Sequence, residues 1–125
     1  MLTLEQQFAR TIYAQIARIE PKSQQAKEYG SMAHKLPVLI RQAGLAQALA
    51  YVSARGKPGA KQLLDDLAMT LGLEGGNRGE QLLARSREAS LLDYMRLTRE
   101  AIIALTWYKR FAQSMLGIGP TEKGD

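Results

Sequence analysis

Apolar residues open this chain at intervals of three and four: Leu4, Phe8, Ile12, Ile16 and Ile19. That spacing gathers them on one side of a helix and predicts one from about Leu4 to Ile19. Thr3 stands where a cap is needed, and Gln6, three residues on, completes a capping box. Pro21 disfavours helical geometry at Glu20 and ends the segment. Ser23 caps a second helix, Gln24 to about Lys35, with Ala26, Tyr29, Met32 and Ala33 on one side. Gly30 within it costs about 1 kcal/mol relative to Ala, a sign of close packing or a bend. Pro37 is then expected to start a new short helix to Ala43, because a first turn tolerates the missing N–H. Gly44 reads as a break or C-cap, and Leu45 to Ala54 as another helix. Val38, Leu39, Leu45, Leu49 and Val52 are the expected core of this stretch.

Arg55-Gly-Lys-Pro-Gly is a turn, and Pro58 opens a helix through Leu71, buried through Leu63, Leu64, Leu67 and Leu71. The segment LGLEGGNRGE, residues 71–80, holds four glycines and reads as a flexible loop, followed by a short helix from Glu80 to about Arg87. Ser90 caps the last element, with Asp93 adding favourable charge in the first turn. From Leu91 to Leu116 it spans about 39 Å at 1.5 Å per residue. Its apolar residues wrap most of the circumference, the pattern of a central buried helix. Strand signals are almost absent. The expected fold is all-α: a compact single-domain bundle of about five to six helices over residues 1–117, with a long C-terminal helix and a disordered tail over 118–125.

Composition narrows this picture in two places. The 125 residues include no cysteine, so no disulfide framework and no thiolate chemistry is available. The formal net charge of +5 is not spread evenly. The window from Tyr29 to Leu64 contains Lys35, Arg41, Arg55, Lys57 and Lys61 and no acid, while the other residues carry twelve bases and twelve acids. Such a bias favours an anionic partner. The opening residues are no signal peptide, and nowhere do about eighteen apolar residues run together. A soluble, cytoplasmic protein with no membrane contact is expected.

Candidate chemistry is sparse. Arg96, Arg99, Ile103, Trp107 and Arg110 fall along one stripe of the last helix. This stripe could hold a phosphate backbone with a stacked base or anchor a protein interface. The plain alternative is a solvated helix edge whose Trp packs on a neighbour. His34 is the only histidine, lacks partners for a metal site or triad, and reads as a helix-surface or boundary residue. Asp65 and Asp66 point about 100° apart on a helix and read as a solvated pair balancing Lys61. The glycines of residues 71–80 lack the strand and the Gly-Lys-Ser/Thr of a phosphate loop, though Arg78 could meet a polyanion. The Pro37–Gly44–Tyr51 region has a helix-turn-helix outline, but its second helix offers little beyond Gln47 to read base edges. No constellation supports catalysis, and no cofactor, metal or small-molecule substrate is implied.

Two ordered blocks carry a family resemblance. The first is Glu28-Tyr29, Leu36-Pro37-Val38-Leu39-Ile40, Gly44-Leu45 and Ala46 to Tyr51. The second is Tyr94, Leu97-Thr98, Glu100-Ala101 and Trp107-Tyr108-Lys109-Arg110-Phe111-Ala112, with Phe8-Ala9-Arg10 fitting more loosely. Together they resemble the small helical subunit of the type III-B (Cmr) CRISPR effector complex, from about Gln6 to Met115. Ala43 departs from the family's usual Asn before the Gly.

The resemblance implies a noncatalytic subunit that stacks with copies of itself along the guide-bound backbone and helps to hold target RNA. Its implied partners are the other Cmr subunits, neighbouring copies, target RNA and crRNA. Phosphate contacts need Arg and Lys without neighbouring acids, and they bind without reading sequence. On that basis Lys35, Arg41, Arg55, Lys57, Lys109 and Arg110 are the candidate RNA contacts, with Arg10 and Arg18 next. Arg96, Arg99, Ile103 and Trp107 are a possible protein interface. The rival readings are a protein-interaction scaffold without RNA contact and the equivalent small subunit of the type III-A (Csm) complex.

Overall fold

The first helix begins where its local chemistry says it should. In the computed structural model, which describes residues 1–120, the Thr3 hydroxyl accepts from the Gln6 N–H and the Gln6 side chain accepts from the Thr3 N–H. The six helices are α1 (Leu4–Ala17), α2 (Gln24–Ala43), α3 (Leu45–Arg55), α4 (Pro58–Thr70), α5 (Arg78–Glu88) and α6 (Leu91–Leu116). Among the described residues there is no strand, and the all-α expectation with a long last helix holds. Ser23 and Ser90 cap α2 and α6 as expected.

Helix α2 lies at the centre, packed against both α4 and α6. Its residues Tyr29, Met32, Ala33 and Leu36 are fully buried. This explains the first correction: α2 runs unbroken through Pro37 instead of restarting there. A proline inside a helix costs about 3 kcal/mol, since the carbonyl one turn earlier loses its donor. Burial of α2 between two helices offsets that loss, and Pro37 is itself buried. The break falls at Gly44, whose φ of 87° ends α2 and starts α3.

Three core expectations also need correction. Leu4 is exposed in the first turn of α1. Val38 is 46% exposed, because it lies two residues, about 200° of helix, from both Leu36 and Ile40, which face inward. The third concerns α6, which is central only over part of its length. Leu91 and Leu92 are 73% and 78% exposed, and Met95 is exposed too. The cause is coverage: α1 packs antiparallel along α6, with Tyr13 against Phe111 and Gln15 against Tyr108. Fourteen residues of α1 reach only about 21 Å along a helix of about 39 Å.

Gly30 supplies the close approach expected of it. A Cβ there would stand 2.7 Å from Cβ of Ile118, which is buried over α2 just after α6 ends. Of the tail expected over 118–125, residues 121–125 lie outside the described residues; Ile118 packs on the core.

A polar seam crosses the core. The Tyr108 hydroxyl donates to Gln15 Oε1 at 2.6 Å, so Thr70 Oγ1, at 2.9 Å, donates to Tyr108 in turn. Gln15 Nε2 donates to the backbone carbonyl of Asp66 at 3.0 Å. The Tyr29 hydroxyl donates to Asp66 Oδ2 at 2.6 Å, and Gln62 donates to the other oxygen at 2.9 Å. Four helices are thereby tied through groups that would be costly to bury alone. Asp65 and Asp66 are therefore no solvated pair. Asp65 accepts from the Gly79 N–H at 2.8 Å and caps α5 from across the α4–α5 corner. That cap holds α5 in helix from Arg78, two residues earlier than expected.

Burial sets the protonation of this seam. It pushes the Asp66 carboxyl above its ordinary value, against the opposing pull of hydrogen bonds from Tyr29 and Gln62. It also raises both tyrosines, Tyr29 with further help from Tyr108 and Asp66 beside it.

Candidate nucleic-acid interface

Two of the predicted bases, Lys109 and Arg110, lie on the C-terminal half of α6. Three packed segments carry no acid: residues 6–19 in and after α1, 29–43 in α2, and 101–119 at the end of α6. Helices α1 and α2 both pack on α6, so these segments adjoin in space although they are far apart in sequence.

A groove of about 300 Å³ between α2 and α6 is lined by His34, Thr106, Lys109, Arg110, Gln113 and Pro120. It brings Lys109 and Arg110 together, half-buried and exposed respectively. Arg41, exposed, is seven residues beyond His34 on α2. Seven residues return to the same helix face within about 20°. Arg41 thus lies about 10 Å along α2 from His34, toward the end where Gly44 and Ala46 meet Tyr94 in the first turn of α6. On the other flank Arg10 is exposed on α1, whose partner along the seam is Phe111 through Tyr13.

The other candidates fall elsewhere or are engaged. Arg18 lines a hollow with Gln15, Gln25, Gln62 and Asp66 and so faces the carboxylate of α4. Arg55 lies over its own helix neighbour Tyr51, 5.5 Å from the ring centroid, and donates to the Tyr51 hydroxyl at 3.2 Å. Lys57 precedes α4, and the Glu28 carboxylate stands at that turn, accepting from the Gly59 N–H at 2.8 Å. Lys35 is half-buried on α2. The eight bases do not form one surface; only Lys109 and Arg110 line one groove, with Arg10 toward the end of α6 on the α1 side and Arg41 toward its start on the α2 side.

His34 is not a surface residue. It is 8% exposed, and its Nε2 donates to the Ile118 carbonyl at 2.9 Å. That bond clasps the chain end over α2. Among the described residues, no group of three or more His, Asp or Glu side chains is placed to hold a metal ion.

The arginine stripe on α6 divides in two. Arg96 and Arg99 are exposed, with Arg96 at 3.7 Å from Asp93 one turn before it. Such an exposed pair contributes little. Ile103 and Trp107 are half-buried and packed on the core. Trp107 lies against Phe111 with centroids 5.6 Å apart, and Phe111 meets Tyr13 at 5.6 Å with ring planes at 87°.

Tyr13 and the exposed Leu91, Leu92 and Met95 are the features that sequence reasoning missed. An available signal for Tyr13 was its position off the 4-8-12-16-19 stripe: an aromatic residue on the outward side of α1. The exposed leucines gave no such signal, since only the length of α1 relative to α6 leaves them uncovered.

The fold defines a class, a small all-α protein with six helices among the described residues and exposed apolar side chains at the start of its long last helix. Residues 4–115 match the family of CRISPR-associated proteins described as Cas_Cmr5, and the chain belongs to that family. The CRISPR system Cmr subunit Cmr5 of Thermus thermophilus is 47% identical over 116 residues, 93% of this chain and 98% of its own. The X-ray crystal structure of a CRISPR-associated Cmr5 family protein, also from Thermus thermophilus, is similar throughout. It has a TM-score of 0.82 at 45% identity, covering 92% of this chain and 99% of that one. The resemblance carried by the two sequence blocks is thereby borne out, and the type III-A alternative is set aside.

Proposed function

We propose that this protein is the noncatalytic small subunit of a Cmr-type CRISPR ribonucleoprotein complex, helping to hold target RNA in antiviral defence. The observation that carries the RNA-holding role is that, among the described residues, the packed segments 6–19, 29–43 and 101–119 of the chain carry Arg10, Arg41, Lys109 and Arg110 and no acid. Bases without neighbouring acids attract phosphates of any sequence. That suits a subunit which must accept whatever target pairs with the guide.

Family membership supports the assembly role. Neighbouring copies of the chain meet, in this reading, at the N-terminal end of α6. Leu91, Leu92 and Met95 there offer apolar surface beside Arg96 and Arg99, with Ile103 and Trp107 further along the same helix.

The test is binding of single-stranded RNA at a series of salt concentrations. The wild-type chain should bind weakly, and its affinity should fall steeply as salt rises. Changing Arg41, Lys109 and Arg110 together to Glu should abolish binding while far-UV circular dichroism stays helical. Unchanged binding in that variant rules out this face. A wild type that binds no RNA, alone or assembled with Cmr subunits, leaves the scaffold role standing alone.

A further inference from the structure

We propose that the seam between α1 and α6 is a stacking platform for a nucleobase of single-stranded RNA, with Tyr13 as its outer ring. The proposal rests on the RNA-holding role above and adds the place where a base, as opposed to a phosphate, meets protein. Tyr13 is 55% exposed, unusual for an aromatic ring that has a core within reach. It is also held in place. Phe111 stands against it at 87°, and Trp107 backs Phe111, so three rings from two helices form a connected row. Such a ring is ordered before a ligand arrives, which lowers the cost of binding.

The surroundings suit a base more than a second apolar side chain. Ala14 and Ala17 are the exposed residues beside and one turn beyond Tyr13, so no long side chain of α1 overhangs the ring from that direction. Arg10 lies three residues before Tyr13 on the same face, and Arg110 precedes Phe111. Neither helix segment carries an acid here. An exposed ring with a base one turn away, on a helix segment without acid, is the arrangement by which sequence-tolerant single-strand binding combines stacking with phosphate attraction. A protein hot spot also favours Tyr, Trp and Arg, and the experiment separates the two.

The full chain is titrated against two fluorescent oligomers of equal length, one an oligouridylate and one its abasic ribose-phosphate counterpart. Wild type should bind the base-bearing strand about tenfold more tightly, the range expected for one stacked base. Tyr13→Ala should lose that advantage and fall to the abasic affinity with its salt slope unchanged, while Tyr13→Phe should keep it. Arg110→Gln should weaken both strands alike and reduce the salt slope by about 0.7, one phosphate contact. Thermal melting confirms that each variant folds.

If wild type binds both strands equally, or Tyr13→Ala binds the base-bearing strand as wild type does, the platform is overturned and the RNA-holding role stands. If wild type binds neither strand, alone or assembled with Cmr subunits, both fall. If Tyr13→Ala instead lowers association with Cmr subunits while RNA affinity is unchanged, the seam is a protein contact and the proposal fails.

Discussion

Two tyrosines from other helices meet aromatic rings on α6 about one turn apart, with opposite results. Tyr29 of α2 lies 6.2 Å from Tyr108, and both rings are fully buried with their hydroxyls bonded to Asp66, Gln15 and Thr70. Tyr13 of α1 lies 5.6 Å from Phe111 and remains exposed, with Arg10 one turn before it. Similar ring contacts thus serve one pair that closes the core and another that faces outward. The difference is the neighbouring helix: α4 seals the first pair by supplying Asp66 and Thr70. Around the second, α1 presents alanines and arginine.

That contrast is most sharply broken by truncation. Tyr29→Ala should destabilise the fold by about 3–5 kcal/mol, the range for a large buried ring, and it leaves Asp66 without its hydroxyl donor. Tyr13→Ala should cost under about 1 kcal/mol, as an outward-facing side chain does. Urea unfolding of the two variants under one set of conditions checks the difference, and equal losses would erase the distinction between the pairs.

A smaller effect is expected from Tyr108→Phe. It keeps the ring and removes the hydroxyl, leaving buried Gln15 Oε1 and the Thr70 hydroxyl only their long 3.5 Å bond to each other, at about 1 kcal/mol. Shape is unchanged, so the denaturant slope should be too, and only the midpoint should move.

The smallest effect at neutral pH, and the most specific, is alkaline. Tyr29 and Tyr108 are held protonated by burial, whereas unfolded tyrosine ionises near pH 10. Above that pH the unfolded chain binds fewer protons than the folded one, so stability should fall as pH rises; below it the two tyrosines add no pH dependence. Tyr108→Phe should flatten the alkaline fall. Asp66, raised by burial, adds a fall that begins as pH rises above the ordinary carboxylate value, and Asp66→Asn should remove it.

Three helix starts were legible because their chemistry is local. Thr3, Ser23 and Ser90 each bond a backbone N–H three residues away, and that distance is visible in one dimension. Pro37 misled for the complementary reason: its local preference is a helix start, and only burial of α2 between α4 and α6 overrides it. The polar seam joins Gln15 to Tyr108 and Tyr29 to Asp66 across 93 and 37 positions, so no local pattern announces it. The site was half legible. Absence of acid pointed to α2 and the family block to Lys109-Arg110, but the same window admitted Arg55, which its helix neighbour Tyr51 engages, and Arg18 meets Asp66 only through the fold. Tyr13 was overlooked because a reading aimed at the core attends to the inward stripe of a helix.

The Asp65 cap on Gly79 has a practical corollary. Because α4 fixes where α5 begins, the span from Gly72 to Gly76 need not measure the distance between the two helices, and its length is free to vary. A Cβ at Gly72 or Gly76 would meet nothing within 4 Å. An epitope or a dye-bearing cysteine placed at Gly76 should therefore be accepted without shifting α5. In a chain with no native thiol, that gives a single labelling point for following assembly by fluorescence.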